Sequence, residues 1–202
     1  RQYSWPHLLA RWLMLFATTG YVLLPSAVVW ANPTGEQVVG GAATVERTGN
    51  TLTVNQTTER LAVNWQNFSI AAGETTHFNM PSAASIALNR VLGGNPSQIY
   101  GTLSSNGNII LVNNAGIFVG PGGVVNAASF VGSTLDVDPQ QFMNAGAGGY
   151  HLHGDSYAPI VNQGSITAEK GDVFLIAQKV ENRGTISAPN GRAGLVGVGR
   201  EA

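Results

Sequence analysis

No cysteine occurs among the 202 residues, and Lys, Arg, Asp and Glu together supply only 10% of them. The first shortage excludes a disulfide framework, so compactness has to come from packing alone. The second excludes many long surface helices, whose solvent faces need Lys, Glu and Arg. A formal net charge of −1, with the ten Lys and Arg scattered, leaves no basic footprint and argues against a nucleic-acid partner. Long hydrophobic runs are missing too. The longest, Trp12 to Leu24, is broken by Thr18, Thr19 and Gly20 and is too short to cross a bilayer comfortably.

That run follows Arg1, His7 and Arg11 and leads through Pro25 to Val29-Trp30-Ala31, the layout of a secretory signal peptide. Cleavage is expected after the small residue Ala31, leaving residues 32–202 as the mature part. Residues 1–31 are therefore set aside from the fold. The Arg at position 1 and the sequence at the far end lead to the expectation that this is the N-terminal part of a much longer exported polypeptide.

What the chain has in abundance is glycine, 26 residues, together with 44% hydrophobic residues. The two meet in the stretch from Asn108 to Val137. Ile109–Val112, Ile117–Val119 and Val124–Val125 are each too short for a helix, and Gly116, Gly120, Pro121, Gly122 and Gly123 punctuate them. Short parallel strands buried on their inner side fit this pattern, with Asn113, Asn114 and Gly116 expected to take the positive φ of tight corners. Upstream, Leu52, Val54, Leu61, Val63 and Trp65 alternate with polar residues, as do Ile86, Leu88 and Arg90 with Ala87, Asn89 and Val91. This alternation is read as antiparallel or edge strands with polar outer faces, in which Trp65 and Phe68 fill the core.

A repeat marks the second half. Asn162, Gly164, Ile166 and Ala168 return as Asn182, Gly184, Ile186 and Ala188, an offset of 20 residues, and Gly171 and Leu175 return as Gly191 and Leu195. A looser copy runs through Gly101, Leu103, Gly107 and Leu111, with Leu111 to Val131 again a step of 20. A 20-residue unit of two or three short strands with Gly/Asn corners indicates one coil of a parallel β-helix. The fold class expected is all-β: a parallel β-helix in which Leu175 lies beneath Leu195.

Between Asp136 and Ala158 the pattern lapses, which predicts a hairpin or loop standing off the solenoid. His151, His153 and Asp155 there have a spacing that could gather a divalent ion, but a fourth ligand is lacking, and solvent-facing residues on a hairpin are the expectation. Asp136 and Asp138 are close enough to work as paired acids on a glycoside, although their place at a turn favours solvated or capping roles. No nucleophile elbow or phosphate-binding glycine signature is present. No catalytic residue, metal or cofactor is assigned.

Residues 63–137 resemble the secretion domain of two-partner-secretion exoproteins, the filamentous-haemagglutinin family, and most resemble its high-molecular-weight adhesin branch. The resemblance is carried by VNWQNFSI at 63–70, SIALNRVLGG at 85–94, NPSQIYGTLSSNGNIILVN at 95–113, GIFVG at 116–120 and VNAASFVGSTLDV at 125–137, with GSITAEKGDVFLIA at 164–177 in keeping. The family motif Asn-Pro-Asn-Gly-Ile falls on residues 113–117. Asn113, Gly116 and Ile117 match it, whereas Asn114 and Ala115 stand where the family has Pro and Asn. A second family motif, Asn-Pro-Asn-Leu, is absent.

The resemblance implies a right-handed parallel β-helix with an N-terminal β-strand cap and an extra-helical hairpin. It implies a non-enzymatic secretion and folding-nucleating module, recognised by an outer-membrane β-barrel transporter with periplasmic docking domains. It places the protein outside, or on the surface of, a Gram-negative bacterium, with contacts to host or neighbouring-cell surfaces left to the remaining length. The corner Asn113-Asn114-Ala115-Gly116-Ile117 is then the candidate recognition element. A polysaccharide-binding or polysaccharide-cleaving β-helix is the alternative function.

Overall fold

The structure is a computed structural model that describes residues 32–145 and 149–198. The expected signal peptide and the bond after Ala31 lie outside the described residues. Twenty strands and one short helix, Pro139–Asn144, make up the regular structure of the described chain. The strands wind into a β-solenoid of about seven turns.

Three sheets form its walls. The first runs, neighbour to neighbour, through Gln37–Gly40, Arg60–Trp65, Ile86–Val91, Asn108–Asn113, Ser129–Ser133, Val173–Ala177 and Ala193–Gly197. The second is also seven-stranded, from Ala43–Thr48 to Thr185–Ser187. The third has four strands, Ser97–Ile99, Ile117–Val119, Ile160–Asn162 and Val180–Asn182. Within these sheets all pairs are parallel except Gln37–Gly40 on Arg60–Trp65 and Ala43–Thr48 on Thr51–Gln56. Those two antiparallel strands are the N-terminal cap. They occupy the edges that the first coil would otherwise leave open.

The reading of the alternating segments as antiparallel or edge strands holds only on the side of the cap, where Thr51–Gln56 and Arg60–Trp65 meet the two cap strands; on their other side it is corrected. Thr51–Gln56 pairs with Thr75–Asn79, and Arg60–Trp65 with Ile86–Val91, in parallel. Period-two alternation reports a strand with unlike faces, and a solenoid wall has unlike faces whatever the direction of its neighbours.

Stacking of equivalent residues builds the core. Leu175 pairs with Leu195, and below it the column continues through Gly132, Leu111, Asn89 and Val63. The step from Leu111 is 21 residues, to Gly132, so Val131 lies instead over Ile110. Trp65 and Phe68 are fully buried and meet edge to face at 5.5 Å. Asn89, in the same core, is held by the Trp65 indole, whose Nε1 donates to Asn89 Oδ1 at 3.0 Å. Thus Ala87, Asn89 and Val91 face inward while Ile86, Leu88 and Arg90 face outward, the reverse of a polar outer face.

The reversal is stable because the outside of this wall is also covered. The segment from Asp136 does not stand off the solenoid. Its first strand, Asp136–Val137, pairs antiparallel with Leu152–His153, and the helix lies back over the first sheet. Phe142 is fully buried in a second apolar cluster with Ala62, Leu88, Ile110, Val112 and Val137.

Coil spacing sets the glycine positions. A Cβ on Gly164 would sit 2.2 Å from the Gly123 carbonyl oxygen, and one on Gly184 2.1 Å from that of Gly164. These glycines are needed for close approach between coils. A left-handed backbone is used at Gly116, with φ of 110°, but no described residue other than glycine has positive φ, so Asn113 and Asn114 hold the corner by other means.

A buried asparagine corner

Asn113 ends the Asn108–Asn113 strand with its side chain turned into the solenoid and no exposed surface. Its amide Nδ2 donates to the Asn95 carbonyl and to Ser97 Oγ, both at 3.0 Å, and its Oδ1 accepts the Ala115 N–H at 2.9 Å. Both N–H donors and the side-chain oxygen are therefore engaged within the protein, as burial of an amide requires. The Gly116 N–H closes the turn on the Asn113 carbonyl at 2.9 Å, and the Gly116 carbonyl accepts from Ser97 N–H at 3.0 Å. One side chain thus makes two bonds to the preceding coil and one within its own turn.

Gly116 and Ile117 tie it to the next coil. The Ile117 N–H donates to the Pro159 carbonyl at 3.2 Å, and a Cβ on Gly116 would come within 3.0 Å of that same oxygen. Ile117 is buried and stands between Ser97 and Ile160 in the third sheet. Asn114 is exposed and Ala115 half-buried. The Asn114 carbonyl accepts Ser156 Oγ at 2.6 Å, so the chain returning from the excursion lands on the corner. Hence the three residues that match the family motif are the buried ones. The two that depart from it border a depression formed with Arg90, Leu92 and Asp136, and Ala115 also borders an apolar one formed with Pro96, Phe118 and Pro159.

The other candidates resolve into local roles. Asp138 caps the helix, accepting the Gln141 N–H at 2.8 Å. Asp136 makes a two-pronged ion pair with Arg90, Nε to Oδ1 at 2.8 Å and Nη2 to Oδ2 at 2.5 Å. Burial pushes the Asp136 carboxyl up, but the Arg90 hydrogen bonds, the Val137 N–H and the nearby positive charge together hold it below the usual carboxylate range. Arg90 is correspondingly raised, chiefly by its hydrogen bonds to Asp136. The two acids are thus engaged with different partners. His151 and His153 are exposed, and among the described residues no three His, Asp or Glu side chains are grouped to hold a metal ion.

Residues 30–199 match the TPS secretion domain family. The chain belongs to that family. It is 34% identical over 163 residues to a heme/hemopexin-binding protein of Haemophilus influenzae, a match covering 78% of this chain and 18% of that protein. A second heme/hemopexin-binding protein of Haemophilus influenzae is 33% identical over 107 residues, covering 52% of this chain and 12% of the other. Among solved structures, the HMW1 secretion domain from Haemophilus influenzae superposes with a TM-score of 0.74 at 34% identity, covering 82% of this chain and 45% of that one. The chain therefore spans less than a fifth of the curated relatives it matches. TPS secretion domains are modules of large exoproteins, and the family is defined by export and not by catalysis. Such domains are engaged by an outer-membrane transporter, and the exoproteins reach the surface of Gram-negative bacteria.

Proposed function

We propose that this TPS domain is the export signal and folding nucleus of a large surface protein, delivered to the periplasm by residues 1–31 and cleaved after Ala31. A β-barrel transporter captures it through periplasmic docking domains. The chain crosses the outer membrane extended and rebuilds the solenoid outside, where later coils stack on its open end. The observation that carries this reading is the family match from residue 30 to 199, which covers the whole described solenoid. The absence of cysteine supports it, since a disulfide-closed loop would obstruct passage through a narrow barrel. Binding to host or neighbouring cells belongs to the rest of the protein.

On this reading the corner at Asn113–Ile117 works mainly by setting the native turn, because its motif-matching side chains are spent on contacts inside the fold. While the chain is extended, the same residues are available for pairing with a sheet edge of a docking domain. Co-expression with the transporter should release the domain into the medium, and expression without it should leave the domain in the periplasm. Equal release in both cases would overturn the proposal. N-terminal sequencing of the released form is expected to begin at Asn32.

A further inference from the structure

The excursion after the fifth strand of the first sheet reaches back to the beginning of the molecule. Arg60 Nη1 donates to the Phe142 carbonyl at 2.8 Å across 82 residues of sequence, and the Arg60 guanidinium lies 5.2 Å from the centre of the Phe142 ring. Met143 lies against Gly40 of the cap: a Cβ at Gly40 would be 2.7 Å from Met143 Cγ. At the other end of the segment the Arg90–Asp136 pair fixes its root, and Asp138 caps its helix. The segment Asp136–Asn144 therefore holds four elements at once: the Gln37–Gly40 cap strand, Arg60–Trp65, Ile86–Val91 and Asn108–Asn113.

The geometry points to a brace that locks the N-terminal cap only after the chain is complete as far as residue 144. Before that, Ala62, Leu88, Ile110 and Val112 present an uncovered apolar strip on the outside of the first sheet. The antiparallel cap strand then pairs with a single neighbour, and its valines, Val38 and Val39, are exposed. A cap supported on one side opens at a small fraction of the global unfolding cost. The brace adds the missing side. Its arrival late in sequence makes the early coils dependent on a segment synthesised and exported after them, so completion of the cap reports that most of the domain has emerged. This ordering rests on the export reading above, but the brace itself is a property of the folded domain.

Hydrogen exchange on the purified domain, residues 32–202, tests it. Gly40→Ala places a methyl group in the path of Met143 and should speed exchange in Gln37–Gly40 and Arg60–Trp65 by roughly tenfold or more, leaving Val173–Ala177 unchanged. Met143→Ala combined with Gly40→Ala removes the clash together with the Met143 contact, so exchange at the cap strand should be slower than in Gly40→Ala yet faster than in the unaltered protein. Arg60→Met, which keeps the aliphatic stem and removes the donor to Phe142, should reproduce the local acceleration. Uniform acceleration across all strands, or no acceleration at the cap in either single variant, would overturn the brace. Should Gly40→Ala fail to fold, recovery of folding in the double variant supports the proposal and failure of both contradicts it. Export assays do not enter this test, so the brace and the export reading can fail independently.

Discussion

Asn113 and Ser97, both fully buried, share a hydrogen bond of 3.0 Å between successive coils at the one corner where the family motif falls. Ser97 also anchors the strand that Ile117 pairs with. Ser97→Ala should therefore leave one Asn113 N–H without its partner in a dry site, costing about 1–3 kcal/mol. Chemical denaturation of the purified domain measures it, and a midpoint equal to that of the unaltered domain would contradict the role given to this bond.

Leu175 lies between Gly132 and Leu195 in the inner column and is itself fully buried. Leu175→Ala is expected to destabilise by about 2–5 kcal/mol through the cavity it leaves. The circular-dichroism spectrum of the folded domain should be dominated by strand. Leu195→Ala should cost less, because Leu195 is 50% exposed on the last described coil.

Gly164 separates two backbones with no room for a side chain. Gly164→Ala would bring a methyl group to 2.2 Å from the Gly123 carbonyl oxygen, which has no flexible end to move aside. Overpacking of this kind costs about 1–3 kcal/mol or more. An alanine at Gly122, where nothing lies within 4 Å but φ is 79°, should be destabilising through backbone strain alone. Thermal melts of the two variants, each with its crystal structure, distinguish a displaced coil from a strained turn.

Acid should loosen the excursion. The Asp136 carboxyl titrates below its ordinary value in the folded state, so its contribution is present above the unfolded carboxylate range and is lost as pH falls through the lower folded value. Glu36, held down mainly by its Arg47 hydrogen bonds, acts in the same sense at the cap. Asp136→Asn should therefore reduce stability at neutral pH and flatten its fall in acid, which a series of melts from pH 7 down to the acid limb records. An unchanged acid limb would remove Asp136 from the balance.

How far these relationships could be read from sequence depends on their range. The match of Leu175 with Leu195 was legible because identical positions recur at one fixed step, and the cap followed from the resemblance. The inward placement of Asn89 was not, since the alternation Ile86-Ala87-Leu88-Asn89 is the same whichever face is inside. What decides is Phe142, which covers Leu88 from a distant part of the chain. The step at Leu111 slipped by one because coils differ in length. The candidate corner was located by its motif, but its partners Asn95, Ser97 and Pro159 lie on other coils, and only the fold brings them together. Asn114 and Ala115 departed from the motif where surface position relaxes the demand on side-chain chemistry.

The buried side-chain hydrogen bonds of Asn113 hold the native turn at this corner, and a paired measurement tests this most directly: unfolding midpoint and transporter-dependent export yield for Asn113→Ala and Asn114→Ala. Asn113→Ala should lower the midpoint, with a loss of stability of about 1–3 kcal/mol, and export should fall with it, whereas Asn114→Ala should leave both close to their original values. An Asn113→Ala domain that unfolds at the original midpoint yet is no longer exported would contradict the account and make the corner a sequence read by the transporter.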